Sequence, residues 1–205
     1  KVLPLDKGVL FTARQVLTRP GDMLRDYLDG KRVGYTKPFQ FLLIIGAISL
    51  IFLSTDDVQR GMKEGMPVSE NEANAAFMEF QQQVAGFLTS NMSLLLAGML
   101  PFLTWVGRWF YKRHDVNVAE HLVINCYLLA ACNIIIMPFM LGMRIFGQNA
   151  TSPSSAAFFT IFYVGFYMWA HITFFREPNR IWNGLKGFLT YLVAYLIYIL
   201  FIGVV

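Results

Sequence analysis

The chain has 205 residues, of which 56% are hydrophobic, 16% aromatic and only 15% charged, with a formal net charge of +4. A soluble domain carries about 25% charged residues and disperses its apolar positions at helix or strand period. Here they gather into blocks of roughly 17 to 25 residues, the length a helix needs to cross a hydrocarbon layer about 30 Å thick. The pattern excludes an ordinary soluble fold. It predicts an all-α polytopic membrane bundle of about five transmembrane helices, with amphipathic surface helices in front of them.

Residues 1–37 form the first unit, cytoplasmic amphipathic surface helices. The chain opens on Lys1 rather than Met, so it is read as part of a longer product, and no signal peptide is legible before the first apolar block near Phe39. From Asp6 to Leu17 the apolar residues recur at helical spacing, and Pro20-Gly21-Asp22 then breaks the chain. Asp22 is the expected cap of a second helix from Met23 to Leu28, and Gly30 its stop. Val9, Leu10, Val16, Leu17, Leu24 and Leu28 are expected to face lipid or the bundle. Basic amphipathic helices of this kind lie on a membrane surface; the competing reading packs them on the protein itself.

Residues 38–205 form the transmembrane bundle, with spans expected at 38–54, 84–111, 118–143, 156–175 and 185–205. Pro38 suits the first turn of a helix, and Pro101 and Pro138 are expected kinks. The loop 55–83 carries six acidic and two basic residues. The five segments flanking the spans hold, in order, eight, two, three, one and three Lys and Arg, so alternate segments collect fourteen on one side and three on the other. Cytoplasmic segments carry that excess. The N-terminus is therefore expected in the cytoplasm and the C-terminus outside.

No Walker loop, nucleophile elbow, His-Glu-x-x-His or dinucleotide fingerprint is present, so no catalytic residue is assigned. No metal site and no cofactor is predicted either. Cys126 and Cys132, six positions apart in one apolar block, point in different directions on a helix and read as small buried residues. Polar residues inside spans are costly and often functional. His121, Asn125, Leu128 and Cys132 share one helical face. Glu120, His121 and His171, together with Arg108, fall at similar depth near the cytoplasmic surface. Arg108, Glu120, His121, Asn125 and His171 thus form a candidate polar cluster, open to two readings: a proton relay or metal site, or interfacial residues that hold helices together.

The N-terminal residues Lys7-Gly8-Val9-Leu10-Phe11-Thr12, Thr18-Arg19-Pro20-Gly21, Arg25-Asp26-Tyr27-Leu28-Asp29-Gly30-Lys31-Arg32 and Lys37-Pro38-Phe39, with Ala119-Glu120-His121-Leu122-Val123 further on, resemble a family of bacterial multi-span membrane proteins of unknown function. Its motif runs "RPG…R.YL.GKR…P". Members often begin with a zinc ribbon bearing two Cys-x-x-Cys pairs, which is not in this sequence, and the resemblance implies no activity. Arg19, Arg25, Lys31 and Arg32 are the expected contacts to lipid or partner phosphates, each worth on the order of 1 kcal/mol near an anionic surface.

The function expected from all this is a non-catalytic integral membrane protein of the bacterial inner membrane, an accessory or assembly subunit. Its partners are membrane lipids and other membrane subunits, with no nucleic acid. The alternative is a small transporter or membrane enzyme that uses the Glu/His cluster.

Overall fold

The computed structural model describes residues 8–52, 92–112, 115–146 and 153–204. Among them are seven α-helices and no strand: α1 (Gly8–Thr18), α2 (Pro20–Leu28), α3 (Pro38–Phe52), α4 (Met92–Phe110), α5 (Val118–Ile145), α6 (Pro153–Phe175) and α7 (Arg180–Val204). The whole of the expected loop 55–83 and the start of the expected second span lie outside the described residues.

Helix α5 is the axis of the molecule. It packs against α3, α4 and α6 and also meets α1 and α2, while α7 closes the bundle against α4 and α6. Every residue from Ile124 to Cys132 is buried, so the middle of α5 is covered on all its faces. That is the condition under which a helix is hydrophobic all round. In its most apolar stretch 56% of the residues are buried, against 28% for α6, which keeps one side outward. The outer faces carry large apolar side chains: Trp105 is 71% exposed, Ile161 70%, Leu200 68% and Phe201 58%.

Two helices are long and apolar enough to cross a membrane, over Val118–Met143 and Ala157–Phe175. Helix α3 is apolar but shorter in its apolar part, Pro38–Ser49. Pro138 lies inside α5 and Pro101 inside α4, so neither proline ends its helix. Helix α7 starts at Arg180, ahead of the expected 185, because the Asn179 side-chain oxygen accepts the Trp182 amide at 3.1 Å and caps the first turn.

The N-terminal pair is amphipathic, and its apolar side faces protein. Val9, Thr12 and Val16 are buried on α1, and Met23, Leu24 and Tyr27 on α2. Leu17 and Leu28 are partly buried against the core. Leu10, 68% exposed, faces away from the bundle. It sits about 100° round the helix from Val9, off the stripe that Thr12 completes. One expectation is corrected, that for Asp22. Helix α2 begins three residues earlier than expected, at Pro20, with Arg19 at its N-cap position and no side-chain cap bond. Proline at a first turn loses no hydrogen bond, so the helix needs no aspartate cap. Asp22 instead pairs with Arg25 at 2.6 Å and Arg176 at 2.8 Å.

Candidate functional site

Two constellations stand out, one at the docked N-terminal helices and one inside the bundle. The first is built from the motif residues. A Cβ on Gly21 would collide with the backbone of Thr173 and Phe174, so only glycine lets α2 lie this close to the end of α6. One turn on, Arg25 Nη1 donates to the carbonyls of Thr173 at 2.6 Å and Phe174 at 2.5 Å. The last four carbonyls of a helix lack partners within it and carry the negative end of its dipole. A guanidinium, with five donors in a fixed fork, satisfies two of them at once. Asp22 completes the arrangement by holding Arg25 from the other side. The hydrogen bond from Arg25 pulls the Asp22 carboxyl below its usual range, against the opposing effect of its slight burial.

The rest of the motif builds the turn into α3. The Thr12 hydroxyl donates to the Gly8 carbonyl at 2.6 Å and accepts the Thr36 amide at 2.9 Å. Gly30 adopts a φ of 92°, which reverses the chain after α2 and which side chains other than glycine rarely tolerate. Tyr127 of α5 meets Tyr27 edge-on at 5.3 Å, lies 5.8 Å from Phe41, and donates its hydroxyl to the Thr36 carbonyl at 2.6 Å. The predicted phosphate contacts therefore have neighbours of their own. Arg19 donates to the Gln15 side chain at 2.8 Å, Lys31 pairs with Asp26 at 2.8 Å, and Arg32 lies over the Tyr27 ring at 5.3 Å. Arg25 is the most enclosed of the four, with its side chain 26% exposed.

The polar cluster divides. His121, Asn125 and His171 are buried. Glu120 and Arg108 stay at the rim. Glu120 accepts the Asn117 amide at 2.7 Å while Asn117 accepts the Glu120 amide at 2.9 Å, a reciprocal cap on α5. Arg108 donates to the Val116 carbonyl at 3.2 Å.

The two imidazoles come together around one ring. Phe175 lies 6.1 Å from His121 and 5.7 Å from His171, centroid to centroid. The faces of the His171 ring are lined by Tyr167 at 4.8 Å and Tyr111 at 5.3 Å, and Tyr111 itself stacks on Phe175 at 3.8 Å. Its Nδ1 is 2.9 Å from the Tyr167 carbonyl. A carbonyl only accepts, so this nitrogen is the donor. Space for the rings comes from glycines: a Cβ on Gly187 would press on His171 Cβ at 3.1 Å, and one on Gly107 would meet His121 Nδ1 at 3.4 Å.

Hydrogen bonds link the surrounding helices. Asn125 donates to the Thr104 hydroxyl at 3.5 Å and accepts from the Tyr167 hydroxyl, which ties α4, α5 and α6 together. The Tyr111 hydroxyl donates toward Asn183, 3.0 Å from both its backbone and side-chain oxygens, and the Asn183 side chain donates to the His171 carbonyl at 3.3 Å. Gly107, Tyr111, Tyr167, Asn183 and Gly187 were not singled out from the sequence. One signal was available: Tyr167, His171 and Phe175 recur every four residues, which puts three rings on one face. Among the described residues, no three of His, Cys, Asp or Glu come together as a metal-holding group.

Residues 6–50 match the model of a family described as a protein of unknown function, DUF3667. The matched stretch contains α1, α2 and most of α3, so it coincides with the docked pair and its link to the bundle. The chain matches no curated protein and no solved structure.

Proposed function

We propose that this chain is a non-catalytic integral membrane protein of the bacterial inner membrane, an accessory or assembly subunit whose bundle packs against lipid and other membrane subunits. In this reading α3 to α7 are its five spans, residues 1–37 lie in the cytoplasm and the C-terminus lies outside. One observation carries it. Beneath an exterior studded with exposed Trp, Phe, Leu and Ile, the buried polar side chains of α4, α5, α6 and α7 are directed at one another across helix contacts. Lipid-facing bundles need that arrangement, because hydrocarbon offers no partner to a polar group. In water so much exposed apolar surface would drive association. The paired imidazoles favour the rival reading, a small transporter or membrane enzyme. Against it, aromatic rings pack on His171 and Glu120 is engaged in the cap of α5.

The reading is tested by gentle extraction from native membranes. The chain is expected to elute at fixed stoichiometry with another membrane protein, and to catalyse no solute flux once reconstituted. A chain that purifies alone and conducts a substrate in vesicles belongs to the rival class.

A further inference from the structure

The ends of α4 and α7 open a cleft at the outer surface, about 390 Å³ in volume. Trp109 and Trp182 form its walls, Leu185 and Leu189 lead down α7, and Lys112 and Lys186 stand at it. The two tryptophans are 65% and 53% exposed, although each is large and apolar. The cleft lies level with the helix ends, since Tyr111, the residue after α4, bonds Asn183 in the first turn of α7. Its two cations differ. The Lys186 ammonium is 2.6 Å from Glu177 and lies over the Tyr111 ring at 5.5 Å, so its charge is largely answered. Lys112 is exposed and has no carboxylate partner among the described residues.

We infer that this cleft holds one anionic phospholipid of the surrounding leaflet. Its phosphate meets Lys112, its glycerol region lies between the indoles, and a chain runs along Leu185 and Leu189. The inference rests on the membrane-spanning reading and gives it a specific lipid partner. Three features support it. Indoles settle at the level of lipid head groups, where an amphipathic ring is half wet. Lys112, the cation there without a carboxylate partner among the described residues, complements a molecule with one negative charge above a hydrocarbon tail. The volume falls within the roughly 300–1,000 Å³ of small-molecule sites, enough for a head group and the first part of a chain.

The test is fluorescence quenching in vesicles by brominated phosphatidylglycerol and, separately, brominated phosphatidylcholine. A Trp105→Phe/Trp169→Phe variant of the full chain keeps only the two cleft indoles, and a Trp109→Phe/Trp182→Phe variant keeps the two outside it. With Lys112 near its phosphate, phosphatidylglycerol should be enriched about fivefold in the cleft over phosphatidylcholine. Quenching of the cleft indoles should therefore favour phosphatidylglycerol, and adding Lys112→Gln should remove the preference. Indoles outside the cleft should be quenched equally by both lipids. Equal quenching of the cleft indoles by both lipids, or a preference that survives Lys112→Gln, overturns the inference. So does a cleft that neither lipid reaches while the outer indoles are quenched, which points to a protein partner there. If neither variant is quenched, the membrane-spanning reading itself has failed.

Discussion

A Gly21→Val substitution is expected to release the N-terminal helices from the bundle. The reasoning sets two effects against each other. Replacing glycine in a helix with a residue that has a side chain gains at most about 1 kcal/mol of backbone preference. At Gly21 the new Cβ meets the Thr173 and Phe174 backbone, which cannot rotate away as a side-chain tip can. Overpacking against a rigid neighbour costs roughly 1–3 kcal/mol, and occasionally more. Separation of α2 from α6 also removes Arg25 from the two carbonyls it satisfies, and hydrogen bonds to a charged group contribute about 1.5–3 kcal/mol before discounting for exposure. The clash wins, and undocking is the cheapest relief. Hydrogen exchange over residues 8–28 should accelerate at least tenfold, which corresponds to about 1.4 kcal/mol, while α5 keeps its protection. Gly165→Ala is the control: nothing lies within 4 Å of a Cβ there, so exchange of the N-terminal pair should not change. Unaltered protection of residues 8–28 in Gly21→Val contradicts the docked arrangement.

The second large effect is expected inside the bundle. Asn125→Leu removes the group that receives the Tyr167 hydroxyl and reaches Thr104. Interhelical hydrogen bonds in membranes average only about 0.6 kcal/mol, with a maximum near 1.7. The larger loss comes from the stranded Tyr167 hydroxyl, since a buried group without its partner costs roughly 1–3 kcal/mol. About 2 kcal/mol of destabilisation follows on unfolding in mixed micelles. Adding Tyr167→Phe to Asn125→Leu removes the stranded hydroxyl, so the double variant should recover about 1 kcal/mol relative to Asn125→Leu alone. Strictly additive single effects would show that the two side chains do not work as a unit.

The helices of this architecture are legible in the sequence because apolar blocks are local properties. Depth along a helix follows from counting residues, so the similar level of His121 and His171 could be read from span boundaries alone. Rotation is a different matter. Whether an imidazole faces its neighbours or lipid depends on contacts with other helices, here Gly107 on α4 and Gly187 on α7. Arg25 shows the limit most clearly. As a cation on an amphipathic helix it reads as a lipid contact, yet its carbonyl partner lies 148 residues away. Gly21 reads as a turn residue from the Pro-Gly pair, whereas its place in the fold comes from the backbone it touches. Glu120 was more accessible to sequence reasoning. Asn117 followed three residues later by Glu120, just ahead of an apolar run, is the signature of a capping box. That assignment would have separated the carboxylate from the buried histidines.

The membrane arrangement is most directly examined by cysteine accessibility in intact cells. In a Cys126→Ala/Cys132→Ala background, single cysteines are introduced as Val33→Cys, Pro178→Cys and Gln148→Cys. Val33 is 98% exposed in the turn between α2 and α3, Pro178 is exposed between α6 and α7, and Gln148 lies outside the described residues, in the segment between α5 and α6. The five-span arrangement predicts that a membrane-impermeant maleimide labels Gln148→Cys in intact cells, and that Val33→Cys and Pro178→Cys react only after permeabilisation. Labelling of Val33→Cys or Pro178→Cys in intact cells, or protection of Gln148→Cys there, would contradict it.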